Sequence, residues 1–371
     1  MIFSRLFLFL IALFFSCYCF SQGCCSGGSG SPIAGGASQG VLSRQQVDVS
    51  STFQYTNSSK FKAGNKDTAL LFDNFNSNYM YTKIAYGVTK EFTFSVETGY
   101  FINKTQVGLN KIETNRSSGL ADLIIFPRYD VYNRTDSSKR VELTLGMGYK
   151  IPLGKYSDST IAYHDSATGR NTYILMPPLV QPTNGSHDFI FYAFFLRGFP
   201  KHNFKLFSNA LYIKKGWNSL GEKFGDFASV SLFAGKTFFN KLGITLQVKG
   251  ERIAKMQAAK GDDLMIKYSV DVASTGSKKI MFVPQLSYNI NKSLTVFGLF
   301  EMPLYEYVNG SQLATQKLIV TGFSYRFFAK KNIVCVNPFV ETYMCPMKCE
   351  AGISNKPGKC KVCGMELEKS K

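Results

Sequence analysis

The sequence predicts an all-β chain: an antiparallel transmembrane β-barrel of about 12 strands, with a small irregular cysteine-rich module at its C-terminus. Three observations carry this. The composition is rich in strand formers, with 33 Phe, 20 Tyr and 32 Gly in 371 residues. Long segments alternate apolar and polar residues with a period of two. The connections between them alternate short and long, as in barrels with short periplasmic turns and long outer loops. A soluble sandwich has no reason to show that last regularity.

The N-terminus reads as an export signal. Arg5 precedes an apolar run, Leu6 to Phe15, too short for a helical span but suited to a signal core. Cys19 and Ser21 place small residues at −3 and −1, so cleavage is expected after Ser21. Phe14-Phe15-Ser16-Cys17 is a weaker, lipidation-like alternative. Residues 22–44 form a Gly/Ser-rich leader containing Cys24-Cys25. Beyond the N-terminus there is no stretch of about 20 apolar residues, which disfavours a helical span.

The barrel is expected over 45–328. Its strands are read at 46–56, 78–88, 92–102, 118–131, 141–151, 187–198, 203–213, 227–238, 242–252, 278–290, 294–304 and 316–327. In the fifth, Val141, Leu143, Leu145, Met147 and Tyr149 alternate with Glu142, Thr144, Gly146, Gly148 and Lys150. One face is apolar for lipid and the other is polar for the lumen. Alternation assigns Lys83, Glu97, Asp122, Arg128, Glu142, Lys150 and Lys249 to the lumen, as interior ion pairs or as the lining of a pathway. An even strand number puts both termini on one side, expected to be periplasmic. The terminal Tyr325-Arg326-Phe327-Phe328 resembles the aromatic signal read by the barrel-assembly machinery.

The net charge of +18 can signal nucleic-acid binding. In an exported chain with scattered basic residues, contact with anionic lipid or lipopolysaccharide phosphates is the simpler reading. Nucleic acid is not expected as a partner. Outer-membrane lipid and the assembly machinery are.

Three barrel segments resemble a known family. They are Gly119-Leu120-Ala121-Asp122-Leu123, the run from Gly146 to Gly154 closing in Pro152-Leu153-Gly154, and Pro303-Leu304-Tyr305 followed by Asn309 to Leu313. They are similar to outer-membrane transporter-like barrels associated with phenol and aromatic-hydrocarbon degradation. The resemblance implies a barrel and a transport role, but no particular substrate.

After a linker at 329–340, residues 341–371 carry the chemistry. Cys345 and Cys349 form a C-x3-C pair, and Cys360 and Cys363 a C-x2-C pair ten residues on. Two close thiol pairs across a short loop can converge on one tetrahedral ion. A tail this small cannot build a sufficient core, so a metal gives it a reason to fold. Two disulfides are the alternative in an oxidising periplasm. The run Tyr343-Met344-Cys345-Pro346-Met347, with Pro357-Gly358-Lys359-Cys360 and Cys363-Gly364-Met365, resembles the heavy-metal-binding domain of copper-exporting ATPases and of periplasmic metal-efflux adaptors. That resemblance implies one bound ion and suggests efflux components as partners. Lys348 stands where the family commonly has His, and Cys349 where it has Pro. The extra thiol favours Cu(I) or Zn(II). Met347 and Met365 either contribute thioether contacts or pack over the cluster.

Cys335 reads as a bystander thiol, while Cys24-Cys25 could pass metal to the tail, form a disulfide or be lipid-modified. His164, His187 and His202 lack metal-ligand spacing and read as loop, turn or strand-end residues. There is no nucleophile–base constellation, phosphate loop or HExxH motif, so an enzyme is not expected. The expected function is a metal-linked outer-membrane transporter-like protein. The alternatives are an uptake channel for small hydrophobic or aromatic molecules with an incidental tail, and a non-conducting anchor for a metal chaperone.

Overall fold

A computed structural model describes residues 40–135, 139–239, 241–268, 271–316 and 318–329, and in the tail 343–346, 353–354, 356–360, 362 and 364–369. The signal peptide, most of the leader, the linker, Cys24, Cys25, Cys335, Met347, Cys349 and Cys363 lie outside the described residues. The chain divides into two compact units, 1–328 and 329–371.

The first unit is a closed antiparallel barrel of 12 strands. In chain order these are β1 (Gln46–Ser58), β2 (Asn74–Gly87), β3 (Phe92–Val107), β4 (Thr114–Thr135), β5 (Arg140–Pro152) and β6 (Asp188–Phe199). They continue as β7 (Phe204–Lys214), β8 (Phe227–Phe238), β9 (Leu242–Ile253), β10 (Ser277–Asn289), β11 (Leu294–Leu313) and β12 (Leu318–Phe328). Each strand pairs with its sequence neighbours, and β1 closes on β12 from Gln46 opposite Phe328 to Tyr55 opposite Ile319. Closure leaves no edge unpaired, as a spanning sheet requires in lipid. Among the described residues no helix is long and apolar enough to cross a membrane.

The twelve expected strands are all present, and several run further than their lipid-matched length. The clearest case is β11. Its expected end is at 304, yet the strand continues to Leu313. Gly310 takes φ +59, and pairing with a short hairpin strand, Phe61–Gly64, shifts register between Val308 and Ser311. A bulge at a left-handed glycine lets the strand bend without ending.

Alternation sorts the side chains. Leu145, Met147 and Tyr149 are exposed on the outer wall, while Glu142, Thr144 and Lys150 are buried inside. The five connections at one end of the barrel are all three or four residues long, whereas those at the other end range from four residues, between β11 and β12, to 35, between β5 and β6. At the other end, the connection from 153 to 187 forms a hairpin, Ser159–Asp165 with Arg170–Leu175. It then turns inward, where Met176, Leu179 and Val180 pack with Phe61, Phe72, Phe75 and Leu313. Ser117 Oγ donates to the Val180 carbonyl, and Lys104 Nζ donates to that of Gln181 at 2.7 Å.

Candidate metal centre and barrel lumen

The tail is built on a miniature sheet. Tyr343–Met344 is its central strand, flanked by Ile353–Ser354 and Glu368–Lys369. Cys345 follows the central strand directly. Cys360 opens a tight turn: its N–H donates to the Met365 carbonyl at 2.7 Å, and the Gly364 N–H donates back to its carbonyl at 2.8 Å. Lys359 bridges Glu366 just outside. Gly364 has φ +75, a left-handed conformation that strains any residue with a Cβ.

Cys345 is 1% exposed and Cys360 is 3% exposed. They are the only two buried residues among the described residues of this unit. A miniature sheet that buries thiols rather than aliphatic side chains fits a soft-metal site, where ion and ligands replace a core. The Met365 side chain is 41% exposed. Among the described residues no three candidate ligands cluster, and Cys349 and Cys363 fall outside that set.

The lumen is electrostatically paired. Lys150 Nζ lies 3.0 Å from both Asp122 and Asp188, and Lys215 3.0 Å from Asp188. Lys249 lies 2.9 Å from Glu251 and 2.8 Å from Glu301. Asp48 holds Arg326 at 3.4 Å and Lys83 at 4.0 Å, while Arg140 holds Glu142 at 2.7 Å. Glu97 accepts from Tyr81 and Ser95. The lumenal residues expected from alternation therefore face inward, and Lys83, Asp122, Glu142, Lys150 and Lys249 each have a partner of opposite charge.

Alternation did not reveal an apolar sector inside the same barrel. Phe126, Ile190, Tyr192, Phe194, Leu211, Ile213 and Phe227 pack together there, with Phe207 against them. Phe207 and Phe233 stack at 4.3 Å. The signal was present: residues 189–196 of β6 are apolar at every position, so both of its faces are apolar. Residues 40–43 lie against this wall. The Leu42 N–H donates to Thr93 Oγ1 at 2.7 Å. A Cβ on Gly40 would meet Glu142 Oε1 at 1.7 Å, so a larger residue there requires the buried Glu142 carboxylate to move. Between this segment and the wall is a cavity of about 310 Å³, lined by Glu142, Phe194, Lys205, Phe207, Phe297 and Arg326 among others.

These features define a class: a closed 12-stranded barrel of outer-membrane channel type, joined to a heavy-metal-binding domain. Residues 342–370 match the family described as heavy metal binding domain. The barrel is similar to the crystal structure of an outer membrane channel from Pseudomonas putida F1. The TM-score is 0.57 at 10% identity, covering 79% of this chain and 99% of that one. It also aligns with a KdgM porin (TM-score 0.36, 8% identity, 76% and 99% covered) and with the beta domain of the Bordetella autotransporter BrkA (0.40, 10%, 76% and 99%). The last two are too distant to bear on the reading, and the first shows the fold alone. No curated protein matches the chain. The likeness to barrels of aromatic-hydrocarbon degradation rests on the short motifs quoted above.

Proposed function

We propose that this chain is an outer-membrane transporter-like protein with both termini in the periplasm, whose tail captures one Cu(I) or Zn(II) ion for metal handling. Cys345, Cys349, Cys360 and Cys363 are its ligands, with Met347 and Met365 as thioether neighbours of Cu(I). The observation that carries this reading is the burial of Cys345 and Cys360 in a unit whose other described residues are all partly or fully exposed. Bound metal would supply the cohesion that such a short segment lacks. The test is elemental analysis of the reduced full-length protein from cells supplied with copper or zinc. One equivalent of metal is expected, lost in Cys360→Ser. A metal-free wild-type protein sinks the proposal.

The aromatic sector of the lumen favours a second reading, in which the barrel admits small apolar or aromatic molecules and the tail is incidental. Uptake of such solutes that is unchanged when the tail is removed would support it.

A further inference from the structure

The interior lysines Lys150, Lys215, Lys249 and Lys279 each have a carboxylate partner. At the short-turn end, four outer cations differ. Arg197 on β6, Lys201 in the β6–β7 turn, Lys236 on β8 and Lys241 in the β8–β9 turn are all exposed. None forms an ion pair with a carboxylate among the described residues. The sequence has no Asp or Glu from Leu196 to Ser208, nor from Phe233 to Gly250. The long-loop end, by contrast, mixes signs, with Asp158, Asp165, Asp226, Asp262 and Asp271 among its lysines.

Phenylalanines share the band with these cations. Phe199 stands opposite Phe204, their rings stacked at 6.0 Å, and Phe204 stands opposite Lys236. The Arg197 guanidinium sits 5.5 Å from the Phe199 ring centre, and the Lys236 ammonium 5.3 Å from that of Phe238. Phe239, at the tip of the next turn, is 90% exposed. Transmembrane barrels carry girdles of aromatic residues at both edges of their apolar band. Cations beside them run their stems along the apolar wall and place their charge at the level of the headgroups.

We propose that this band on β6–β8 is a binding site for anionic phospholipid headgroups in the leaflet facing the short turns. Lipid phosphodiesters supply the anions that the protein omits there, and the phenylalanines hold the glycerol and acyl region below. The band is contiguous, so a lipid with two phosphates engages more of it than a lipid with one. The choice of phospholipid over lipid A rests on the short turns facing the periplasm.

The test uses the full chain in nanodiscs of mixed phosphatidylcholine and phosphatidylglycerol or cardiolipin, with retained lipid counted by mass spectrometry after limited delipidation. Enrichment of the anionic lipid by about two- to fivefold is expected. Arg197→Gln, Lys201→Gln, Lys236→Gln and Lys241→Gln together should abolish it. Lys60→Gln, Lys66→Gln, Lys255→Gln and Lys260→Gln together should leave it intact, which separates the site from net charge. Heat-modifiable gel mobility reports the fold. Should the first set fail to fold, Lys201→Gln with Lys241→Gln alters only turns and should at least halve the enrichment. Equal loss from both quadruple variants overturns the proposal. So does displacement by millimolar inorganic phosphate, or a preference for lipid A over phospholipid.

Discussion

Lys249 Nζ lies 2.8 Å from both carboxylate oxygens of Glu301, across the intervening strand β10 inside the barrel. Lys249 is also 2.9 Å from Glu251 on its own strand. All three groups are buried, so each cation–carboxylate contact offsets a desolvation cost that neither side bears well alone.

Glu301→Leu should therefore destabilise the barrel, by about 2–4 kcal/mol, somewhat below a full pair rupture because Glu251 remains. Urea unfolding in detergent or lipid checks it. Lys249→Met should cost more, because it leaves both Glu251 and Glu301 buried without their cation, and adding Glu301→Leu to it should restore part of that loss. A double variant no more stable than Lys249→Met alone contradicts the argument.

Leu232 sits at the middle of β8 and is 63% exposed on the outer wall. If that wall faces hydrocarbon, Leu232→Arg should cost about 2–4 kcal/mol in lipid, because the guanidinium lies near the midplane. An Arg at Leu206, nearer the short-turn rim, should cost much less. Equal, negligible effects at both positions would show that β8 does not cross a bilayer.

A Cβ on Gly40 would press on the buried Glu142 carboxylate, which would have to move. Gly40→Val should expel residues 40–43 from the wall and break the Leu42–Thr93 hydrogen bond. Proteolysis after Arg44 should then accelerate, and single-channel conductance should rise. Unchanged cleavage and conductance would mean that the segment does not restrict the lumen.

Gly364→Ala forces a Cβ into a left-handed position, at about 1–2 kcal/mol. Metal affinity of the full chain should fall by about tenfold, with stoichiometry kept. Cys360→Ser should instead abolish the site. If the alanine variant binds as tightly as wild type, the turn at 360–365 is not part of the centre.

Metal affinity should also depend on pH. An unperturbed thiol titrates near about 8.5, and a ligand must lose its proton to bind. Below that value, affinity should weaken by up to about tenfold per pH unit for each thiolate engaged. A competition titration with a chromogenic chelator between neutral and mildly acidic pH gives the slope. Cys349→Ser should lower that slope by one thiolate if the fourth cysteine is a ligand, and leave it unchanged if three thiols suffice.

The sequence by itself determined the barrel. Side chains on a strand alternate between lipid and lumen, so hydrophobic patterning wrote the membrane span into residues such as 141–151, and the turn lengths wrote the topology. It also carries the thiol pairs of the tail, whose residue type and close spacing motivate the proposed metal site. Tertiary structure alone decided what lies across the lumen from what. Lys249 and Glu301 are 52 residues apart, and their meeting follows from strand register and barrel curvature, which no local pattern records. The same holds for the aromatic sector. The uninterrupted apolar run 189–196 shows that both faces of β6 are apolar, but only closure brings Phe207 and Phe233 into stacking contact beside it. The band of Arg197, Lys201, Lys236 and Lys241 likewise forms only when β6, β7 and β8 lie side by side, since charge complementarity acts through space and not along the chain.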